Sequence, residues 1–95
     1  MTIAKVDYNQ CDITLALRKL GASVCLIHTV GNGCPDMVVG YRGENFLLEL
    51  KDGSKPKNKQ RLTRDEERWH EKWKGQVAVV KDIYEAIKVI NKRSK

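Results

Sequence analysis

Asp36, Glu49 and Lys51 are the residues of this 95-residue chain whose types and spacing could do chemistry. Asp36 follows Pro35, and thirteen positions after it comes Glu49-Leu50-Lys51. Both pieces lie in apolar runs that read as strands, separated by a turn at Arg42-Gly43. A tight hairpin there pairs residues at a constant sum of their numbers, so Tyr41 faces Glu44 and Asp36 faces Glu49. Directly opposed residues on one sheet face have Cβ atoms about 4.5–5.5 Å apart. Two carboxylates that close repel each other, and a divalent metal between them removes the repulsion. Side-chain alternation puts Phe46, Leu48 and Leu50 on one face and Asn45, Leu47, Glu49 and Lys51 on the other. Asp36, Val38 and Gly40 share the face of Glu49, and a one-residue slip would part the two acids.

That arrangement suits metal-assisted phosphodiester hydrolysis. The hard oxygens of Asp36 and Glu49 fit Mg²⁺ or Mn²⁺, with the Leu50 backbone carbonyl as a further ligand. Such a metal acidifies a bound water and offsets charge building on the phosphate. Lys51 would orient that water, help deprotonate it, or neutralise the transition state. The plain alternative is that P-D and E-x-K are short enough to arise by chance, leaving a solvated Glu and Lys on a strand.

The elements that must position these residues read as follows. Asn9 to Leu20 is a helix capped by Asn9, with Ile13, Ala16, Leu17 and Leu20 as its apolar stripe and Gly21 as its stop. Ser23 to Thr29 is a strand rich in β-formers, broken by Gly31-Asn32-Gly33. The strands Asp36 to Tyr41 and Asn45 to Lys51 follow, then a polar loop from Asp52 to Arg61. Thr63 and Glu66 form a capping box for a second helix, whose inward face is Trp69 and Trp73 and whose end is Gly75. Gln76 to Val80 is a short strand. Asp82 and Glu85 open a last helix with Ile83, Ala86, Ile87 and Ile90 inward, and Asn91 to Lys95 fray. A meander of three strands with a helical crossover to a fourth predicts an α/β fold with a mixed sheet. The chain reads as one domain over residues 1–95.

Lys and Arg outnumber Asp and Glu by 18 to 12, for a net charge of +6, which points to a polyanionic partner. Lys55, Lys57, Lys59 and Arg61 follow the motif directly and read as a phosphate-binding loop. Arg64, Arg68 and Lys72 alternate with acids along the second helix and read as a solvated, ion-paired face. No apolar stretch approaches the roughly 20 residues of a membrane span. The first residues lack the apolar core of a signal peptide, so a cytoplasmic location is expected, in a bacterial or phage-infected cell. Cys11, Cys25 and Cys34 include no C-x-x-C pair and read as reduced thiols. Gly31-x-Gly33 lacks the third glycine of a dinucleotide fingerprint and reads as a hinge beside the site, and no small-molecule cofactor is expected.

The stretches Gly33-Cys34-Pro35-Asp36-Met37-Val38-Val39-Gly40-Tyr41-Arg42-Gly43 and Leu47-Leu48-Glu49-Leu50-Lys51-Asp52-Gly53 resemble the VRR-NUC family. This is the virus-type replication-repair nuclease branch of the PD-(D/E)XK superfamily, and the likeness runs from Asn9 to Ile90. The resemblance implies a restriction-endonuclease-like αβββαβ core, a mixed central sheet flanked by helices, and an added C-terminal helix. It implies a Mg²⁺- or Mn²⁺-dependent endonuclease acting on structured DNA. For small stand-alone members it further implies a homodimer that cleaves Holliday junctions. Asp36 and Glu49 would be metal ligands and Lys51 the catalytic lysine. The family also expects an acid on the first helix, where Asp12 stands, and Asp12 reads equally as a ligand or as the N3 acid of the cap. Gln10 is a weaker neighbour. Where many superfamily nucleases carry glutamine on the second helix this chain has Glu66, which its capping role explains as well as a site role. Two other functions stay open: a non-catalytic nucleic-acid-binding module on the same fold, and a nuclease for flap or linear DNA.

Overall fold

The computed structural model describes residues 8–92. Helix α1 spans Tyr8–Lys19. Its end is a Schellman motif: the Ala22 N–H donates to the Leu17 carbonyl and the Gly21 N–H to the Arg18 carbonyl. Gly21 supplies the required left-handed conformation at φ +103°. Tyr8, the first described residue, is already helical, so Asn9 lies within α1 and is not its cap.

Three antiparallel strands follow, β1 (Ser23–Leu26), β2 (Met37–Tyr41) and β3 (Glu44–Leu50). β1 is shorter and more exposed than its β-forming sequence suggests, because His28–Val30 turn into a 3₁₀ helix. The β2–β3 turn is Arg42-Gly43, with φ +54° and +81°. Positive φ at both central residues belongs to the type I′ turn, whose twist matches that of the flanking strands. The register is the expected one, with Tyr41 opposite Glu44, Val39 opposite Phe46 and Met37 opposite Leu48. Helix α2 (Arg64–Lys72) then carries the chain over to β4 (Ala78–Val80), which lies parallel to β3. The result is a mixed four-stranded sheet in the order β1-β2-β3-β4, closed by helix α3 (Ile83–Asn91).

Met37, Val39, Phe46, Leu48 and Leu50 point to the core face, where they meet Ile13 and Leu17 of α1, Val80 of β4, and Ala86 and Ile90 of α3. Burying each large apolar side chain contributes about 1.5–3 kcal/mol. Ile83, expected inward, is instead 37% exposed, because α3 begins at that residue, before the helix settles on the sheet. The Asp82 side chain caps α3 by accepting the Glu85 N–H at 2.8 Å.

Helix α2 buries no residue completely and is tied to the rest of the domain through Glu66, which pairs with Lys51, and Asp65, against which Gly33 packs. Trp69 and Trp73 are therefore not the core residues their spacing suggests. Their indoles stack on each other, with centroids 4.5 Å apart and planes at 19°, and Trp73 stays 44% exposed. The loop after β3 holds a short 3₁₀ turn at Lys57–Lys59. No helix among the described residues is long and apolar enough to cross a membrane.

Candidate active site

The β2–β3 ladder stops at Met37 and Leu48, and the next residue on each strand is an acid: Asp36 and Glu49. The backbone ties both acids down. The Asp36 N–H donates to the Leu48 carbonyl at 3.0 Å, and its own carbonyl accepts the Ile27 N–H at 2.9 Å. The Asp36 Oδ2 accepts the Leu50 N–H at 2.7 Å. The Asp36 N–H to Leu48 carbonyl bond lies one residue out of the hairpin register, so the regular ladder ends where the two acids begin.

Glu49 is only 2% exposed, and its Oε1 is buried with no hydrogen-bond partner among the described residues. Asp36 lies within hydrogen-bonding reach of Glu49. Two ionised carboxylates are acceptors only, so the contact is a bond only when they share a proton. Burial foremost, then the charges of Asp36 and Glu66, push Glu49 up to about 9, and Lys51 opposes them. Asp36 is also raised, by burial first, against the Leu50 N–H that favours its ionised form. Like charges forced together out of water behave this way.

Lys51 joins the site from the end of β3. Its Nζ is 3.9 Å from Glu49 Oε2 and 2.8 Å from Glu66 Oε1. Glu66 Oε1 also accepts the Thr63 N–H at 2.8 Å, while Thr63 Oγ1 accepts the Glu66 N–H at 3.2 Å. The capping box and the lysine contact are therefore one arrangement rather than alternatives. Although burial raises Glu66, its bonds from Lys51 and Thr63 outweigh that and hold its carboxyl below the usual range.

The first helix contributes through a residue that sequence reading gave another role. Asn9 Nδ2 lies 3.0 Å from the Lys51 carbonyl and 3.1 Å from the Lys81 carbonyl, clamping α1 to the ends of β3 and β4. The bond joins residues 42 apart in sequence, and an asparagine at a helix start carries no mark that separates this from a cap. Gln10, next along the helix, is buried, whereas Asp12 is exposed. Lys55, Lys57, Lys59 and Arg61 are all exposed on the loop after Lys51. Cys34 is close enough to both acids that its thiol is raised, by burial first and then by Glu49 and Asp36. Gly33 packs under α2: a Cβ there would collide with the Asp65 carbonyl, so this glycine is a close-approach point at φ +83°.

Among the described residues, no three His, Cys, Asp or Glu side chains are arranged to hold a metal ion. The carboxylates of Asp36 and Glu49, with a backbone oxygen, make a sparser set, which suits Mg²⁺ because that ion keeps several waters. A buried Glu49 oxygen beside a second acid, unpartnered among the described residues, fits a divalent cation.

A mixed sheet flanked by helices, with P-D and E-x-K side by side at one end, defines a nuclease-type α/β domain. Comparison with solved structures agrees: the chain is similar to one described as a VRR_NUC domain, with a TM-score of 0.57 and 26% identity. The match covers 92% of this chain and 95% of that one. No family model matches the sequence, and no curated protein matches it.

Proposed function

We propose that this chain is a Mg²⁺- or Mn²⁺-dependent endodeoxyribonuclease that cuts branched DNA, with four-way junctions as substrate and a homodimer as the acting form. The observation that carries this is the convergence of Asp36, Glu49 and Lys51, with a buried Glu49 oxygen that no group among the described residues satisfies. Asp36, Glu49 and the Leu50 carbonyl would hold the cation, with Asp12 of α1 as a further ligand and Gln10 as an accessory group. When bound, the cation acidifies water and offsets charge on the phosphate. Glu66 fixes the Lys51 ammonium beside Glu49. An ammonium has no lone pair with which to take a proton, so this pairing favours neutralising phosphate charge over acting as a base. Exposed Lys55, Lys57, Lys59 and Arg61 would hold the flanking backbone. A two-fold dimer would present two such sites to a symmetric junction.

The test is cleavage of a labelled four-way junction with and without Mg²⁺ or Mn²⁺, with Lys51→Ala as control. Metal-dependent cutting that disappears in Lys51→Ala supports the reading. Binding without cutting under every metal condition would leave only a nucleic-acid-binding module.

A further inference from the structure

We propose that the cleft beside Trp69 and Trp73 binds an unpaired nucleobase of the DNA strand whose phosphate enters the Asp36–Glu49–Lys51 site. This rests on the nuclease reading and adds the form of substrate that the site prefers.

The cleft measures about 360 Å³ and is lined by Asn32, Asp65, Arg68, Trp69, Lys72 and Trp73. Small-ligand pockets fall at about 300–1,000 Å³, so one nucleotide is a reasonable occupant. Its platform is built, not incidental. The Trp73 indole N–H donates to the Gln76 carbonyl at 3.1 Å. The Gln76 side chain in turn bonds the Leu47 N–H at 2.7 Å and the Leu47 carbonyl at 3.3 Å, fastening the ring to β3. The stacked indoles leave Trp73 44% exposed. A fixed, half-open aromatic surface flanked by cations is what stacks a base while holding its phosphate. Arg68 and Lys72 supply the cations; Asp65 sits 3.9 Å from Arg68, an exposed pairing that a phosphate can replace.

The position supplies the rest. Glu66, one residue from Asp65, reaches Lys51 at 2.8 Å, and Gly33, next to Asn32, packs against the same turn of α2. The cleft and the acidic site thus flank a single helical turn, within reach of neighbouring nucleotides of one strand. A paired base cannot enter such a cleft without leaving its stack, so the cleft favours branched DNA in which a nucleotide beside the cut is unstacked, as at an open branch point.

Both tryptophans of the chain line the cleft, so intrinsic tryptophan fluorescence reports on it alone. The experiment titrates intact protein, in chelator to prevent cleavage, with a short single-stranded oligodeoxynucleotide and with blunt duplex. Anisotropy of labelled DNA is recorded in parallel. Expected are quenching by the single strand, about tenfold weaker single-strand binding in Trp73→Ala, and near-normal binding in Trp73→Phe, with duplex binding little changed. DNA bound by anisotropy without quenching overturns the proposal and leaves the nuclease reading standing. Equal weakening of single-strand and duplex binding in Trp73→Ala also overturns it. So does fluorescence that follows protein concentration rather than DNA, which would assign the cleft to self-association. Absence of all DNA binding removes the nuclease reading as well.

Discussion

The two faces of the β2–β3 hairpin are made from alternate residues of the same strands, yet they have opposite characters. On one, Met37, Val39, Phe46, Leu48 and Leu50 are buried against α1 and α3 and bring no charged or hydrogen-bonding side chain. On the other, Glu49 is buried as deeply as its neighbours but leaves an oxygen without a partner among the described residues, crowded by Asp36 and Glu66. The first face stabilises the fold; the second is held in an unfavourable state by it. Strain of this kind is carried where a site needs a ligand to complete it.

The largest effect expected from this contrast is catalytic. Glu49→Gln should lower cleavage by about 10³-fold, on the scale of losing a major charge-stabilising group, while DNA binding stays or tightens. Junction cleavage and anisotropy measured on one preparation check both parts. Retained cleavage would remove Glu49 from the chemistry.

The adjacent residue should behave the opposite way. Leu48→Ala opens a cavity in the core face and should cost about 2–5 kcal/mol in urea unfolding. Glu49→Gln should instead leave stability unchanged or raise it near pH 8, since it removes an ionisable group from a buried, crowded position. If both variants were destabilised equally, the two faces would not differ as described.

The pH dependence sharpens the contrast further. Glu49 is raised from 4.5 to about 9 in the folded chain, so across that window the unfolded state has released a proton that the folded state keeps. Its contribution is fully present below pH 4.5 and fades as pH rises toward 9. Metal-free stability should therefore fall as pH rises through that range. Mg²⁺ should reverse the fall, most strongly at the alkaline end, because binding requires the carboxylate to be deprotonated. Thermal unfolding against pH in Glu49→Gln should lack this slope.

A smaller effect separates the two roles of Glu66. Glutamine can complete a capping box, so Glu66→Gln should cost no more than about 1 kcal/mol while disturbing cleavage through Lys51. Neutralising Lys55, Lys57 and Lys59 should leave the fold alone and flatten the salt dependence of DNA binding, by about 0.9 in logarithmic slope for each phosphate left without its cation.

The hairpin face was legible from the chain because its signals are local. A two-residue turn at Arg42-Gly43 determines the register, and alternation along β3 then assigns every side chain to a face. The strand ends were less clear, since β1 stops at Leu26 although its β-forming sequence continues to Thr29. What escaped were the pairings that only folding creates. Asn9 looks like a helix cap until the ends of β3 and β4 arrive beside it. Trp69 and Trp73 look like an inward stripe because aromatic residues four apart share a helix face whether they meet a core or each other. Glu66 was readable as a cap, and the bond that also makes it Lys51's partner exists only once α2 crosses the sheet.

The most direct test is Mn²⁺ binding by calorimetry at pH 8, comparing the intact chain with Glu49→Gln. The account predicts saturable binding, accompanied by proton release, that disappears in the variant. Equal binding by both proteins would contradict it, because the two carboxylates would then have no cation to share.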